Sequence, residues 1–227
     1  MTDASLEVLV ALQNADSAFP SGGFAFSQGM EAASQLAGQL GPFDFEAFMR
    51  TQLLHRWATA DCVAMVRSHR LAGDIERMMM LDHEVEASSP IEPLRTGSRR
   101  NGMALVTAHA RIGSAEASDY RDRIRQKQAP GHLAVVQGML WRAAGLGEAA
   151  AISVSGYQVA MSLATAAVRL GLVGSIEAQA VLRRALPLIA RIAPDDIEDD
   201  TPLSSFVPLA EIAALSHRLS EQRLFSN

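Results

Sequence analysis

The chain has 227 residues, 48% of them hydrophobic, and a formal net charge of −5 at pH 7. This length and hydrophobic content allow a substantial buried core. The negative charge argues against a general nucleic-acid binder, which needs a basic surface to displace counterions. Cys62 is the single cysteine, so there is no intrachain disulfide or cysteine-based zinc site, which fits a reducing compartment. The N-terminus has neither the basic segment nor the apolar core of a signal peptide, and we expect a cytoplasmic protein.

The first predicted element is a short helix with one face set by apolar residues at helical spacing. The residues of that face are Leu6, Leu9, Val10 and Gln13.

The segment from Phe19 to Glu31 follows, with three phenylalanines, three glycines and a proline in an otherwise aromatic-poor chain. Proline fixes one backbone angle, and adjacent glycines allow angles closed to other residues. We therefore expect a rigid turn that leads into a helix at about Ser27. The pattern leaves open whether Phe24 and Phe26 face the core or a partner.

A long helical pattern begins after Asp44, which is a suitable N-cap residue. Its apolar positions recur every three or four residues. They are Phe45, Phe48, Met49, Leu53, Trp57, Met65 and Val66. We expect a break and a new cap at Gly73 and Asp74, followed by a helix that ends near Ser88.

Further helices are predicted between short runs of glycine, proline and serine. They cover about 91–112, 117–127, 131–144, 148–171, 176–191 and 204–223. No sustained alternation of apolar and polar residues occurs, which argues against a sheet. The chain also lacks a long linker and a repeat of fixed period. The sequence therefore predicts an all-α, single-domain bundle of about nine or ten helices over residues 1–227.

Residues 149–168 carry no charged side chain over a length close to that of a bilayer span. They include several serines and a threonine, and their apolar members are largely alanines, whereas a spanning helix favours leucine, isoleucine and valine. We interpret this stretch as a tightly packed central helix, and we expect no membrane association.

Common nucleotide-binding and nucleophile motifs are missing from the sequence. There is no glycine-rich loop followed by Lys-Ser/Thr, and the early glycines do not follow a strand, as a dinucleotide fingerprint requires. Gly-x-Ser-x-Gly is absent, and no motif around Cys62 suggests an activated thiol. We expect no cofactor.

The best candidate metal cluster is the stretch from Asp82 to Glu86. His83 and Glu86 stand three apart and can share a helical face. The Glu-x-x-His pairs of di-iron carboxylate bundles are absent, however. A solvated helix end is the simpler interpretation. The alternative is a helical-bundle metal-dependent hydrolase that uses His83, Glu84 and Glu86 with a distant histidine.

Three segments have the composition of partner-facing surfaces. Arg95 to Met103 brings three arginines and two glycines to the start of a helix, where glycine indicates closely approaching backbones. The C-terminal tail, about residues 217–227, carries Arg223, Leu224 and Phe225, and arginine and aromatic residues are enriched at binding hot spots. The tail can equally fold its apolar residues onto the core. The acidic turn 194–202 is interpreted as an exposed loop that caps the next helix, or as an acidic contact surface.

Taken in chain order, these residues resemble the UreF family of urease accessory proteins. Pro20 to Glu31 is similar to the family pattern Pro-x-Gly-Gly-Phe-x-x-Ser-x-Gly-hydrophobic-Glu. Asp61 fits an aspartate after the third helix, and Arg99 with Gly102 fits an Arg-x-x-Gly step. The remaining matches are the segment Leu170 to Val181 and the tail residues His217, Arg223, Leu224, Phe225 and Ser226.

The resemblance implies an all-helical scaffold with no reaction of its own. It implies a homodimer that binds the accessory protein UreD, also called UreH, and recruits the GTPase UreG, whose GTP hydrolysis is coupled to nickel insertion into apo-urease. On this basis the tail residues are expected to contact UreD/UreH, and no catalytic, metal-binding or nucleic-acid-binding residue is expected. The expected partner-binding residues are Phe24, Phe26, Glu31, Arg99, Arg223, Leu224 and Phe225.

Overall fold

Polar side chains mark where several helices begin. The computed structural model describes residues 4–21, 28–37, 42–71, 73–192 and 194–216. The carboxylate of Asp44 accepts a hydrogen bond from the backbone amide of Ala47 at 2.9 Å, and that of Asp74 accepts one from the amide of Arg77 at 3.1 Å. These bonds satisfy amides that a helix N-terminus leaves unpaired. Both predicted caps are confirmed.

The described residues contain no strand and eleven α-helical segments, which form ten helices because α-helical segments three and four are parts of one continuous helix. The α-helical segments are α1 (Ala4–Ala15), α2 (Met30–Ala37), α3 (Phe45–Gln52), α4 (Cys62–Arg70), α5 (Ile75–Ser88), α6 (Glu92–Arg111), α7 (Ala115–Arg125), α8 (Leu133–Ala143), α9 (Glu148–Arg169), α10 (Ser175–Ile189) and α11 (Pro208–Ser216). A π-helical segment, Leu53–Asp61, joins α3 to α4, and the three run on as one helix. A 3-10 turn, Pro194–Asp196, lies between α10 and α11. The all-α prediction is confirmed.

The hydrophobic core centres on α9, which contacts α1, α4, α8, α10 and the π-helical segment. Trp57 and Trp141 are at most 1% exposed within this core. The Nε1 atom of Trp57 donates a hydrogen bond to Oγ of Ser155 on α9 at 3.0 Å. The polar atom of the indole is therefore satisfied where the ring is buried.

One helix among the described residues, α9, is long and apolar enough to cross a membrane by length and composition. In the protein, 56% of its most apolar 18-residue stretch is buried. Its small residues admit close neighbours, since a Cβ on Gly156 would stand 2.8 Å from ring atoms of Trp57. α9 is the packed central helix that the sequence predicts.

The apolar face assigned to α1 is mostly at the surface. Leu6 is 54% exposed and Leu9 is 62% exposed. α1 instead contacts the core through Asn14, which is 2% exposed and whose Oδ1 accepts a hydrogen bond from Nε1 of Trp141 at 3.1 Å. The hydrogen bond from Trp141 to the Asn14 side chain fixes which side of α1 faces inward. Leu6 and Leu9 therefore remain exposed.

The π-helical segment was not predicted from the sequence. Such segments are wound more widely than an α-helix and often occur at functional sites. Two of its carbonyl oxygens, those of His55 and Thr59, accept hydrogen bonds from the backbone amides of Phe206 and Ser204 at 2.8 and 2.9 Å. The chain before α11 is thus tied to this segment, which is why the helix predicted from residue 204 begins only at Pro208.

The acidic turn 194–202 is anchored by Arg70. Nη1 of Arg70 donates to the carbonyl oxygen of Ile197 at 2.7 Å and to the carboxylate of Asp199 at 3.0 Å, while Nη2 donates to Glu148 at 2.9 Å. The Asp199 side chain is 75% exposed, so the loop is exposed as predicted. The predicted capping role is wrong, because the turn ends well before α11 and is held by α4.

Candidate partner-binding surface

Arg99 lies at the surface where α5 and α6 meet. Its Nη1 atom is 2.9 Å from Oε1 of Glu86, and its side chain is 37% exposed. Nε of Arg95, about one turn earlier on α6, is 3.2 Å from the same carboxylate oxygen. One glutamate therefore positions two arginines and leaves part of the Arg99 guanidinium accessible.

The second oxygen of Glu86 points into the core. It is 2.7 Å from Nε2 of His132, whose side chain is 1% exposed, and Nδ1 of the same ring is 3.1 Å from Oγ of Ser98. Since a carboxylate only accepts, Nε2 of the imidazole donates this hydrogen bond. Hydrogen bonds thus run continuously from the surface at Arg99 to a buried imidazole.

Asp82 on α5 holds the turn before α8. It is fully buried, and its carboxylate accepts hydrogen bonds from Tyr120 Oη at 2.7 Å, the Gly131 amide at 2.6 Å and the His132 amide at 2.9 Å. Burial raises the pKa of Asp82, and the three donors act in the opposite direction. Burial and the adjacent carboxylate raise the pKa of Tyr120, which keeps the phenol protonated as a donor. The interpretation of this stretch as a solvated helix end is wrong at Asp82.

Gly102 lies against the same turn. A Cβ at this position would stand 2.1 Å from the carbonyl oxygen of Gly131 and 3.0 Å from the backbone nitrogen of Leu133. The expectation that glycines on α6 permit close backbone approach is confirmed here. The Arg99–Gly102 step therefore seats α6 on the turn as well as presenting Arg99.

A cavity of about 370 Å³ lies beside the π-helical segment. Its walls include Ser21, Gln28, Arg56 and Asp61. Nε of Arg56 and Oδ2 of Asp61 are 3.5 Å apart. Asn101 also lines it, and Oδ1 of this residue has no hydrogen-bond partner within the described chain. The rest of the lining mixes serine, threonine and glutamine side chains with alanine, leucine, valine and methionine.

The three side chains considered as metal ligands turn toward separate partners. Nε2 of His83 is 3.0 Å from the carbonyl oxygen of Gln128. The carboxylate of Glu84 accepts two hydrogen bonds from Arg67, at 2.8 and 2.7 Å, while Glu86 binds the arginines and the histidine described above. In the part of the chain that the structure describes, no group of three His, Cys, Asp or Glu residues is arranged to hold a metal.

Cys62 begins α4 and is fully buried. Burial raises the pKa of its thiol to about 12. Because the thiolate is the nucleophilic form, this thiol stays protonated and unreactive near neutral pH. This burial is consistent with the sequence around Cys62, which has no motif of an activated thiol.

Two of the expected partner-binding residues fall within the described chain. Arg99 is partly accessible, whereas Glu31 on α2 is 2% exposed and is covered by the chain itself. The others lie outside the described residues, and they are Phe24, Phe26, Arg223, Leu224 and Phe225. For all seven residues, partner binding stays a prediction.

Sequence reasoning missed the pairing of Asp82 with the turn at His132, fifty positions along the chain. One usable signal was Pro130–Gly131 directly before α8, because a tight turn leaves backbone amides that must find partners. Nothing in the spacing, however, assigns those amides to a carboxylate on α5.

Comparison with known proteins identifies the family of this chain. The model of the UreF family matches residues 41–186. A urease accessory protein UreF from Kocuria rhizophila is 33% identical, with 99% of each chain covered, and one from Trichodesmium erythraeum is 28% identical, with 97% of each chain covered. Urease accessory protein UreF 1 from Brucella melitensis biotype 1 is 31% identical over 97% of this chain and 92% of its own. The family match exceeds half of the chain, and the chain belongs to the UreF family of urease accessory proteins.

Proposed function

We propose that this protein is a urease maturation factor that acts as a non-catalytic scaffold. As a homodimer it binds UreD/UreH, recruits the GTPase UreG and couples the GTP hydrolysis of UreG to nickel insertion into apo-urease. The observation that carries the proposal is the similarity to urease accessory proteins over nearly the whole chain. Nickel is in this scheme a cargo of the assembly.

The contacts of the buried titratable side chains support the proposed scaffold role. Asp82, Glu86 and His132 have the chemistry of acids, bases and metal ligands, but each is committed to bonds that join α5 to α6 or to the turn before α8. Their function in the lone chain is to hold helices in register. That rigidity suits a protein that must present fixed surfaces to several partners.

The accessible part of Arg99 supports partner binding at the junction of α5 and α6. A guanidinium held by Glu86 loses little side-chain freedom on binding, and its remaining donors suit a carboxylate of a partner. We propose that Arg99 contributes to one interface of the assembly, and that Arg223, Leu224 and Phe225 contact UreD/UreH.

Reconstitution tests the proposal. The chain is co-expressed with UreD, UreG and the urease subunits, the complexes are separated by size-exclusion chromatography, and GTP hydrolysis, nickel content and urease activity are measured. We expect a complex with UreD and UreG, and nickel loading that requires both this chain and hydrolysable GTP. The matched control omits this chain alone.

Full nickel loading of urease without the chain would overturn the proposal. The hydrolase alternative is tested on the same preparation by metal analysis of the purified chain. Tightly bound stoichiometric metal, lost together with hydrolase activity in Glu84→Gln, would favour that alternative.

A further inference from the structure

The exposed side of α1 is apolar and carries no charged side chain. Its large residues are Leu6, Val8, Leu9 and Leu12, which are 54%, 58%, 62% and 62% exposed. Residues three or four positions apart are neighbours on a helix surface, so the four side chains form one continuous patch. We call this patch the α1 face. Single exposed leucines are ordinary, but a contiguous apolar patch indicates an interaction surface.

Polar bonds hold the opposite side of α1 against the rest of the chain. Near the start of the helix, Oε1 of Glu7 accepts a hydrogen bond from the backbone amide of Gly147 at 2.8 Å. Near its end, Oδ1 of Asn14 lies 3.1 Å from both Nε1 of Trp141 and Nε2 of His109. An ordinary surface helix turns its apolar side toward the core, whereas α1 has its polar anchors inside and its leucines outside. The α1 face is therefore held outward by bonds at both ends of the helix.

The composition of α1 disfavours a membrane or a charged protein as the occupant of this face. Helices that lie on membranes carry Lys or Arg on their polar side, and α1 contains neither. A foreign protein is commonly selected by complementary charges, but Glu7 is the one charged residue of α1 and is bonded on the inward side. A twofold interface brings the same patch of both copies together. An uncharged apolar patch meets its own image without repulsion between like charges.

We infer that the α1 face packs against the α1 face of a second copy of the chain across a twofold axis. The four side chains expose roughly 400 Å², the size of an apolar patch that is often functional on a monomer. Two such patches bury roughly 800 Å², and the exposed neighbours Ser5 and Gln13 bring the total toward the ~1,000 Å² of a specific interface. The inference rests on the homodimer of the proposed function, and it assigns the surface that forms this dimer.

The test measures dimerisation of the full chain and its variants by sedimentation equilibrium over a range of concentrations. The variant L9E/L12E places two carboxylates on the α1 face. The matched control, I176E/L186E, introduces the same charge at two apolar residues of α10 that are 85% and 41% exposed. Circular dichroism checks that each variant is folded.

L9E/L12E is expected to raise the dissociation constant of the dimer at least about tenfold, because carboxylates of both copies meet within an apolar contact. The control is expected to keep the wild-type value. L9S/L12S removes apolar area without adding charge and is expected to weaken the dimer in the same direction.

A charge-reversed pair tests for direct contact between the two copies. An equimolar mixture of L9E/L12E and L9K/L12K is expected to recover the dimer, since opposite charges then face each other across the interface. A general loss of stability would not give this recovery, and a mixture that stays monomeric would overturn the inference.

The remaining outcomes separate this inference from the proposed function. A dimer that L9E/L12E does not weaken would overturn the inference and leave the homodimer intact, whereas a wild-type chain that is monomeric at every concentration would overturn both. Loss of UreD/UreH binding in L9E/L12E with an unchanged dimer would assign the α1 face to that partner and exclude a second copy. Binding to phosphatidylcholine vesicles that L9E/L12E abolishes would assign it to a lipid surface and equally exclude one.

Discussion

The carbonyl oxygen of Gly131 occupies the space into which any side chain at Gly102 would project. A Cβ on Gly102 would stand 2.1 Å from that oxygen. The amide of Gly131 is held from the other side by the carboxylate of Asp82 at 2.6 Å. The turn before α8 is therefore clamped between α5 and α6, with backbone packed directly on backbone.

We expect Gly102→Ala to lower the free energy of unfolding by about 3 kcal/mol, because α6 and the turn must separate to admit the methyl group. Gly174→Ala is the matched control, since a Cβ there meets nothing within 4 Å, and its cost should stay below about 1 kcal/mol. Urea denaturation of both variants checks this. Similar losses in the two variants would mean that the close contact does not limit stability.

Most of the fold was accessible from the sequence because its signals are local. The caps at Asp44 and Asp74 and the spacing of apolar residues lie within single helices. From α3 to α10 the predicted bounds therefore agree with the structure to within a few residues, whereas the predicted bounds near Ser27 and at 223 lie outside the described residues. The π-helical segment was not predictable in this way. This segment is hydrogen-bonded to the residues just before α11, which lie far away in the sequence. One example is the hydrogen bond from Thr59 Oγ1 to the carbonyl oxygen of Ser204, 145 positions away.

The candidate surface was predictable only in part, because it too depends on contacts between residues that are distant in the sequence. Composition singled out the segment from Arg95 to Met103, and the resemblance to the UreF family identified Arg99 and Gly102 within it. The bonds that give the step its geometry come from Asp82, Glu86 and His132 on other elements, and spacing along the chain carries no information about such contacts. The same limit explains the exposed leucines of α1, since helical periodicity identifies a face without saying what covers it.

Substitutions at Glu86 and at Arg99 separate the structural role of Glu86 from partner binding by Arg99. Glu86→Ala leaves the buried His132 without its acceptor and is expected to cost about 2 kcal/mol of stability. Arg99→Ala should cost less than about 1 kcal/mol, because this ion pair is partly exposed. Denaturation measures both values. Arg99→Ala is nevertheless expected to weaken co-purification with UreD/UreH or UreG, and an unchanged complex would show that Arg99 has no role in binding.

Removal of the chain from Ser220 onward is expected to abolish the complex with UreD/UreH and to leave the helical fold intact. The described helices end at Ser216, and the removed residues include an arginine and an aromatic of the kind that dominate interfaces. Circular dichroism and thermal unfolding measure the fold, and pull-down measures the complex. Replacement of Arg223, Leu224 and Phe225 by alanine in the full chain separates loss of side chains from loss of length. A truncated protein that still binds its partner would refute the assignment.

Acidification should destabilise the protein in part through His109. Burial lowers the pKa of His109 from its ordinary value of 6.5, so the unfolded chain takes up this proton first as the pH falls. The corresponding stability is therefore complete above about pH 6.5 and is lost below it, by up to about 1.4 kcal/mol per pH unit for one histidine. His109→Gln removes the titration and keeps a donor for Asn14, so its free energy of unfolding should depend less on pH. His69, whose pKa is also lowered by burial, contributes equally to both proteins and cancels. Urea titrations between about pH 7 and pH 5 measure the difference, and parallel pH profiles for the two proteins would show that His109 does not contribute.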